Sequence, residues 1–169
     1  MSESHTDFYP ENKTELYALL TEQLKALTDG ETHVIPNLAN TSALIYHALK
    51  DLNWAGFYTV EKEPDTCREF LLLGPFQGKT ACIRIPKGRG VCGTALAEDK
   101  IQLVKNVHEF PGHIACDSAS NSEIVLPIHK KGKVVAVLDI DSPILNRFDE
   151  EDKAGLQALV EILEQTCEF

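Results

Sequence analysis

Basic residues are scarce in this chain. Sixteen Lys and Arg stand against 26 Asp and Glu, a formal net charge of -10. A surface of that sign repels phosphate backbones and anionic headgroups, so it argues against nucleic-acid and membrane partners. No apolar run approaches the length of a membrane span. The opening residues, Met1-Ser-Glu-Ser-His-Thr-Asp, lack the basic and apolar regions of a signal peptide. A cytoplasmic protein is the expectation. There is no Cys-x-x-Cys, which removes the thioredoxin motif and the zinc ribbon. Five cysteines cannot all pair within one chain. In a reducing compartment they are reactive, metal-binding or buried rather than a structural framework. Internal repeats, low-complexity tracts and long linkers are also missing.

What remains is enough for one folded unit. The 169 residues, 43% of them apolar, can bury a sizeable core, and a single domain over residues 1–169 is expected. Leu16, Leu20, Leu24 and Leu27 recur at helical spacing, which predicts a helix over 10–28 that stops at Asp29-Gly30. Leu38, Ile45, Leu49 and Leu52 predict a second over 37–52. Strand-like segments follow at 54–60, 69–75, 81–85, 101–104, 122–128 and 133–139. Lys130-Lys131-Gly132-Lys133 reads as the hairpin turn between the last two. Asp149 is a good N-cap for a closing helix over 149–167, with Leu156, Leu159, Val160 and Leu163 as its apolar stripe. Helices over about 10–52, a sheet with its loops over about 53–145, then a helix: that order predicts an α+β fold, an antiparallel sheet with helices packed on it.

The residues that carry chemistry are sulfurs and acids. Cys116 opens a polar run, Cys-Asp-Ser-Ala-Ser-Asn-Ser-Glu, that ends at Glu123. A thiol in an exposed loop of that kind is a credible nucleophile, whereas most single cysteines are inert and buried. Period-two alternation places Val135, Val137, Asp139 and Asp141 on one strand face. Two carboxyls on an apolar face cannot both ionise cheaply, so at least one pKa should rise, as a general acid at neutral pH requires. The competing reading is a solvated strand end before Ser142-Pro143. A hard-cation site finds no third ligand at familiar spacing. Cys82, Cys92, His113 and Cys116 could hold zinc, although their gaps fit no standard finger. Gly88-Arg-Gly90-Val-Cys-Gly93 matches the dinucleotide fingerprint, but the strand before it is short and no acid follows at ribose-binding distance. Glycines that let a short helix over 91–98 start tightly explain it better. Trp54, the single tryptophan, shares a strand face with Gly56 and Tyr58. A core role is the default there, with Gly56 leaving room for a ligand against the indole as the alternative.

With these residues in view, the chain resembles the free methionine-(R)-sulfoxide reductases, enzymes built on a single GAF domain. The stretches that carry the resemblance are Asn53-Trp-Ala-Gly-Phe-Tyr58, Leu73-Gly-Pro-Phe-Gln-Gly78, Cys82-Ile-Arg-Ile-Pro86, Gly88-Arg-Gly-Val-Cys-Gly93, His113-Ile-Ala-Cys-Asp-Ser118, Ser122-Glu-Ile-Val-Leu-Pro127 and Leu138-Asp-Ile-Asp-Ser-Pro143. The resemblance implies that Cys116 attacks the sulfoxide sulfur and that Cys82 resolves the sulfenic acid as a disulfide. It makes Cys92 a third, auxiliary cysteine. Glu123, Asp139 and Asp141 would line the substrate pocket, and Trp54 would form its apolar wall. The resemblance further implies thioredoxin as reductant, a homodimer and no cofactor. Backbone amides around Ala115 and Cys116 are candidates for holding the substrate carboxylate. Cys67 and Cys167 lie outside the family pattern. The competing class is a GAF module that senses a small ligand or redox state without catalysis. Which acid performs which task stays open at this point.

Overall fold

The computed structural model describes residues 9–112 and 118–169. Asn12 caps the first helix, α1 (Lys13–Thr28), by accepting from the Glu15 amide at 3.0 Å. The helix starts three residues after Pro10 because that cap supplies the first acceptor. The second helix, α2 (Val34–Ala48), begins earlier than its apolar pattern suggests. Pro36 sits in its first turn, where a missing N–H costs nothing. It also ends earlier, with Asp51 in the left-handed region at φ 60°. The last helix, α4 (Glu150–Thr166), opens on the predicted Asp149 cap, completed by Asp152 accepting from the Asp149 amide.

The strands are β1 (Trp54–Lys62), β2 (Glu69–Gly78), β3 (Arg84–Pro86), β4 (Gln102–Val104), β5 (Ser122–Lys130) and β6 (Lys133–Ser142). They form one antiparallel sheet in the order β3-β2-β1-β6-β5-β4. The turn between β5 and β6 is the predicted one. Lys131 and Gly132 both have positive φ, 51° and 74°, as a tight primed turn demands.

Alternation along the strands sorts the side chains into two cores. Ala55, Phe57, Ile124, Leu126, Ala136, Leu138 and Ile140 face the layer made by α1, α2 and α4. Tyr58, Val125 and Val137 face the other way, against Val91, Ala95 and Leu96 of α3 (Gly90–Glu98). Among the described residues, no helix is long and apolar enough to cross a membrane.

The glycines of 88–93 build this second layer rather than a dinucleotide site. β3 pairs antiparallel with β2, so no parallel βαβ unit surrounds them. A Cβ on Gly93 would lie 2.4 Å from the Pro86 carbonyl oxygen, and Gly88 and Gly90 have φ of 81° and 62°. They let α3 turn back tightly on β3.

The crossing of α1 and α4 depends on another absent side chain. A Cβ on Gly155 would sit 2.1 Å from the Tyr17 ring. The Tyr17 hydroxyl in turn donates to the buried Asp152 at 2.9 Å, which also accepts from Lys13 and Arg147. Helix propensity alone would make Gly155→Ala stabilising by roughly 1 kcal/mol. Overpacking costs about 1–3 kcal/mol, and the ring has no free end to swing aside. The expected result is a net loss of stability in urea denaturation; a variant more stable than the parent would refute the crossing described here.

Candidate active site

One pocket opens on the α3 side of the sheet, at the end where β1, β5 and β6 meet. Trp54, Tyr58, Cys92, Glu123, Asp139 and Asp141 all line it. The register explains why. β6 lies between β1 and β5, and Asp141 faces Trp54 on one side and Glu123 on the other. Asp139 faces Gly56 and Val125. Residues directly opposite one another on a sheet face have Cβ atoms about 5 Å apart. The three acids, scattered over 19 positions of sequence, therefore converge on a space the size of a small molecule's head group.

Trp54 forms a wall. Its ring is stacked between Phe76 and Tyr58, with centroids 5.3 and 5.8 Å away. Its indole N–H donates to the Lys79 carbonyl at 3.1 Å, which fixes the ring's rotation. The alternative that Gly56 leaves space for a ligand against the indole gives way here to the core role that is the default. A Cβ at Gly56 would fall 2.3 Å from the Phe76 Cβ and 2.7 Å from the indole. The glycine makes room for the aromatic stack itself.

The acids differ in setting. Glu123 and Asp139 are buried, at 6% and 7% exposure, while Asp141 is half-buried at the rim. Burial pushes the Glu123 carboxyl well above the ordinary range, and the charges of Asp139 and Asp141 push it further. Burial also raises Asp139, against a partial offset from hydrogen bonding to Cys92 and Glu123. Glu123 and Asp139, on neighbouring strands, thus form a raised pair. A buried oxygen, Oδ1 of Asp139, has no hydrogen-bond partner among the described residues. Such an atom costs free energy unless something enters the pocket to donate to it.

Cys92 stands in the first turn of α3, its Sγ 3.9 Å from Glu123 Oε1. Burial, then the charges of Asp139 and Glu123, hold its thiol well above the normal range. A thiol kept protonated is a poor nucleophile. Cys92, Glu123 and Asp139 each offer one ligand atom, all within 4.8 Å of one another. That grouping differs from the zinc set of Cys82, Cys92, His113 and Cys116 considered on sequence.

Cys82 lies half-buried just before β3 and is disulfide-bonded. Cys67, Cys92 and Cys167 are free thiols. Cys67 is exposed in the β1–β2 hairpin at φ 54°. Cys167 is buried behind α4, 3.6 Å from the Asn37 amide nitrogen. His113, Ala115 and Cys116 lie outside the described residues. Tyr58, Ala81 and Ser120 also line the pocket and were not singled out on sequence. Tyr58 was legible, since it shares the period-two face of Trp54. Ser120 was not, because its place depends on a hydrogen bond from the Asn53 side chain at 3.0 Å.

The comparisons with known proteins agree with this geometry. The GAF domain family model matches residues 12–167. A free methionine-R-sulfoxide reductase of Escherichia coli (strain K12) is 56% identical over 154 residues, covering 91% of this chain and 90% of its own. One from Saccharomyces cerevisiae is 44% identical, covering 94% and 89%. Among solved structures, the free methionine-R-sulfoxide reductase from Neisseria meningitidis, in complex with its substrate, superposes with a TM-score of 0.87 at 43% identity, over 97% and 95% of the two chains. On the matched family model, the reductase relatives and the fold they share, this chain belongs to the GAF domain family and, within it, to the free methionine-R-sulfoxide reductases.

Proposed function

We propose that the protein reduces free L-methionine-(R)-sulfoxide to L-methionine through a cycling pair of cysteines, Cys116 and Cys82. The Cys116 thiolate attacks the sulfoxide sulfur. The sulfoxide oxygen takes up a proton and passes to Cys116 as a sulfenic acid, and methionine leaves. The Cys82 thiolate then attacks the Cys116 sulfur, and the hydroxyl departs as water with a second proton. Thioredoxin dithiol returns the disulfide to two thiols. The balance is one sulfoxide and two thiols giving methionine, a disulfide and water.

The observation that carries this reading is the buried, protonatable Glu123–Asp139 pair beside Trp54. A sulfoxide oxygen leaves poorly unless protonated, and a carboxyl with a raised pKa holds that proton at neutral pH. Glu123 is the acid in this scheme. Asp139 and Asp141 position the substrate ammonium, the former through its unpartnered Oδ1. The Trp54 face packs on the methyl group. Backbone amides near Ala115 and Cys116 take the carboxylate. Cys92 is the auxiliary thiol. Support for Cys82 as the resolving cysteine is its disulfide, formed while Cys67, Cys92 and Cys167 remain free. The chain works as one GAF unit in the cytoplasm and as a homodimer.

The decisive assay follows NADPH consumption with thioredoxin, thioredoxin reductase and free methionine-R-sulfoxide. No consumption above background would overturn the reading. Substrate size gives a second expected result. An N-acetylated, amidated sulfoxide lacks both charges, leaving the partners of the ammonium and of the carboxylate unpaired at roughly 1–3 kcal/mol each. With about 1.4 kcal/mol per factor of ten, kcat/KM should fall at least about 30-fold. Equal kcat/KM on the blocked compound would mean that the pocket does not enclose a free amino acid.

A further inference from the structure

Cys92, Glu123 and Asp139 present a sulfur and two carboxylate oxygens within 4.8 Å of one another, all buried and facing one cavity. We propose that these three residues form a binding site for a thiophilic divalent cation of the zinc class, and that the bound cation closes the substrate pocket. The second clause rests on the function proposed above; the first does not.

The geometry fits such an ion. Zinc–sulfur and zinc–oxygen bonds of about 2.3 and 2.0 Å at tetrahedral angles separate two ligand atoms by about 3.5 Å. Cys92 Sγ and Glu123 Oε1 are already 3.9 Å apart. Asp139 is 7% exposed, and among the described residues its Oδ1 has no hydrogen-bond partner, so the acid carries a desolvated, unpaired oxygen beside the other two ligands. A bound cation displaces the Cys92 thiol proton, and the resulting thiolate sits in the first turn of α3, where the helix amides add to the cation's pull. A mixed sulfur and carboxylate set with only three protein ligands selects against calcium and magnesium, which take six or more oxygens. With the Cys82 disulfide formed, the cavity measures about 30 Å³. That is room for an ion and one water as fourth ligand, and far less than an amino acid requires. An ion there occupies the space between the acids that the substrate ammonium would enter.

The test uses chelator-treated protein in its disulfide form, in which Cys82 offers no thiolate, titrated with cadmium. The readout is the ultraviolet sulfur-to-cadmium charge-transfer band. One saturable site per chain is expected. The band should be lost in Cys92→Ala and Cys92→Ser, weakened in Asp139→Asn and kept in Cys67→Ser. Circular dichroism identifies which variants are folded, and Cys92→Ser preserves the side-chain size if alanine does not fold. A band that survives in a folded Cys92 variant, or a wild-type protein without a saturable band, overturns the site. The closure clause is read separately, in a Cys82→Ser/Cys116→Ser double variant that cannot turn over. Free methionine-R-sulfoxide should displace the cadmium band there. A band unmoved by the sulfoxide, with the site itself intact, overturns the shared pocket.

Discussion

Cys116→Ser should produce no methionine at all, in single or multiple turnover. A serine hydroxyl is far less nucleophilic than a thiolate, and no other described sulfur can replace it. Cys92 is close to the acids but is held protonated among them, and Cys67 and Cys167 lie away from the pocket. Cys82→Ser should separate the two halves of the cycle. Attack on the sulfoxide precedes resolution, so this variant should release about one equivalent of methionine and then stall with thioredoxin. Mass spectrometry of substrate-treated wild type should find a Cys82–Cys116 bond, and the stalled variant should carry a trappable sulfenic acid. Full multiple turnover by Cys82→Ser would move the resolving role, with Cys92 the first candidate despite its raised pKa.

The amide variants of the acids carry the second large effect, and it has two opposite signs. Glu123→Gln keeps shape but removes the proton, so kcat should fall by roughly 10²–10⁴-fold with little change in KM. Asp139→Asn and Asp141→Asn should raise KM, since the ammonium contact exists before the transition state. In the wild type, activity should decline as pH rises through the raised Glu123 pKa, because the acid then loses its proton. Stability should move in the same direction as activity. An unfolded carboxyl titrates near pH 4, and the folded values of Glu123 and Asp139 lie above that. The protonated pair's contribution is therefore complete below about pH 4 and is lost as pH rises through the folded values. Asp139→Asn does not ionise and escapes that loss. Urea denaturation should find it more stable than wild type at pH 8, with the difference shrinking toward pH 4. If all three amide variants kept near wild-type kcat and KM, the pocket would lie elsewhere and the mechanism above would be wrong.

Much of this site could be read from sequence because β-strands have a period of two. Val137, Asp139 and Asp141 sharing a face followed from alternation alone, and so did Trp54 with Tyr58. The short turn at Lys131–Gly132 made the β5–β6 hairpin legible, because few residues accept positive φ. What sequence could not supply was the partner across a long gap. β1 pairs with β6 some 80 residues on, and that pairing decides that Asp141 faces Trp54. Nor could it say which carboxyls are desolvated. The two aspartates of one strand look alike in sequence, yet one is buried beside Cys92 and the other is half-buried. The beginning of β3 was missed for a related reason. Ala81 and Cys82 are apolar and extended-looking, but they serve the pocket and the disulfide, and the ladder begins only at Arg84.

The two-residue turn at Lys131–Gly132 is also a ruler. It lies at the far end of the hairpin from the acids, yet together with the one-residue register shift between Ile128 and His129 it sets how Glu123 aligns with Asp141. A slip of one residue would turn every core side chain of β5 to the wrong face, and selection for folding would discard it. A slip of two is more insidious. Each face would stay apolar or polar as before, while Glu123 would move about 7 Å past Asp141. Such a molecule could pass every test of compactness and still fail at chemistry. Lesions at this distant loop would thus be mistaken for catalytic ones, and a designer who transplants the pocket must copy the turn along with it.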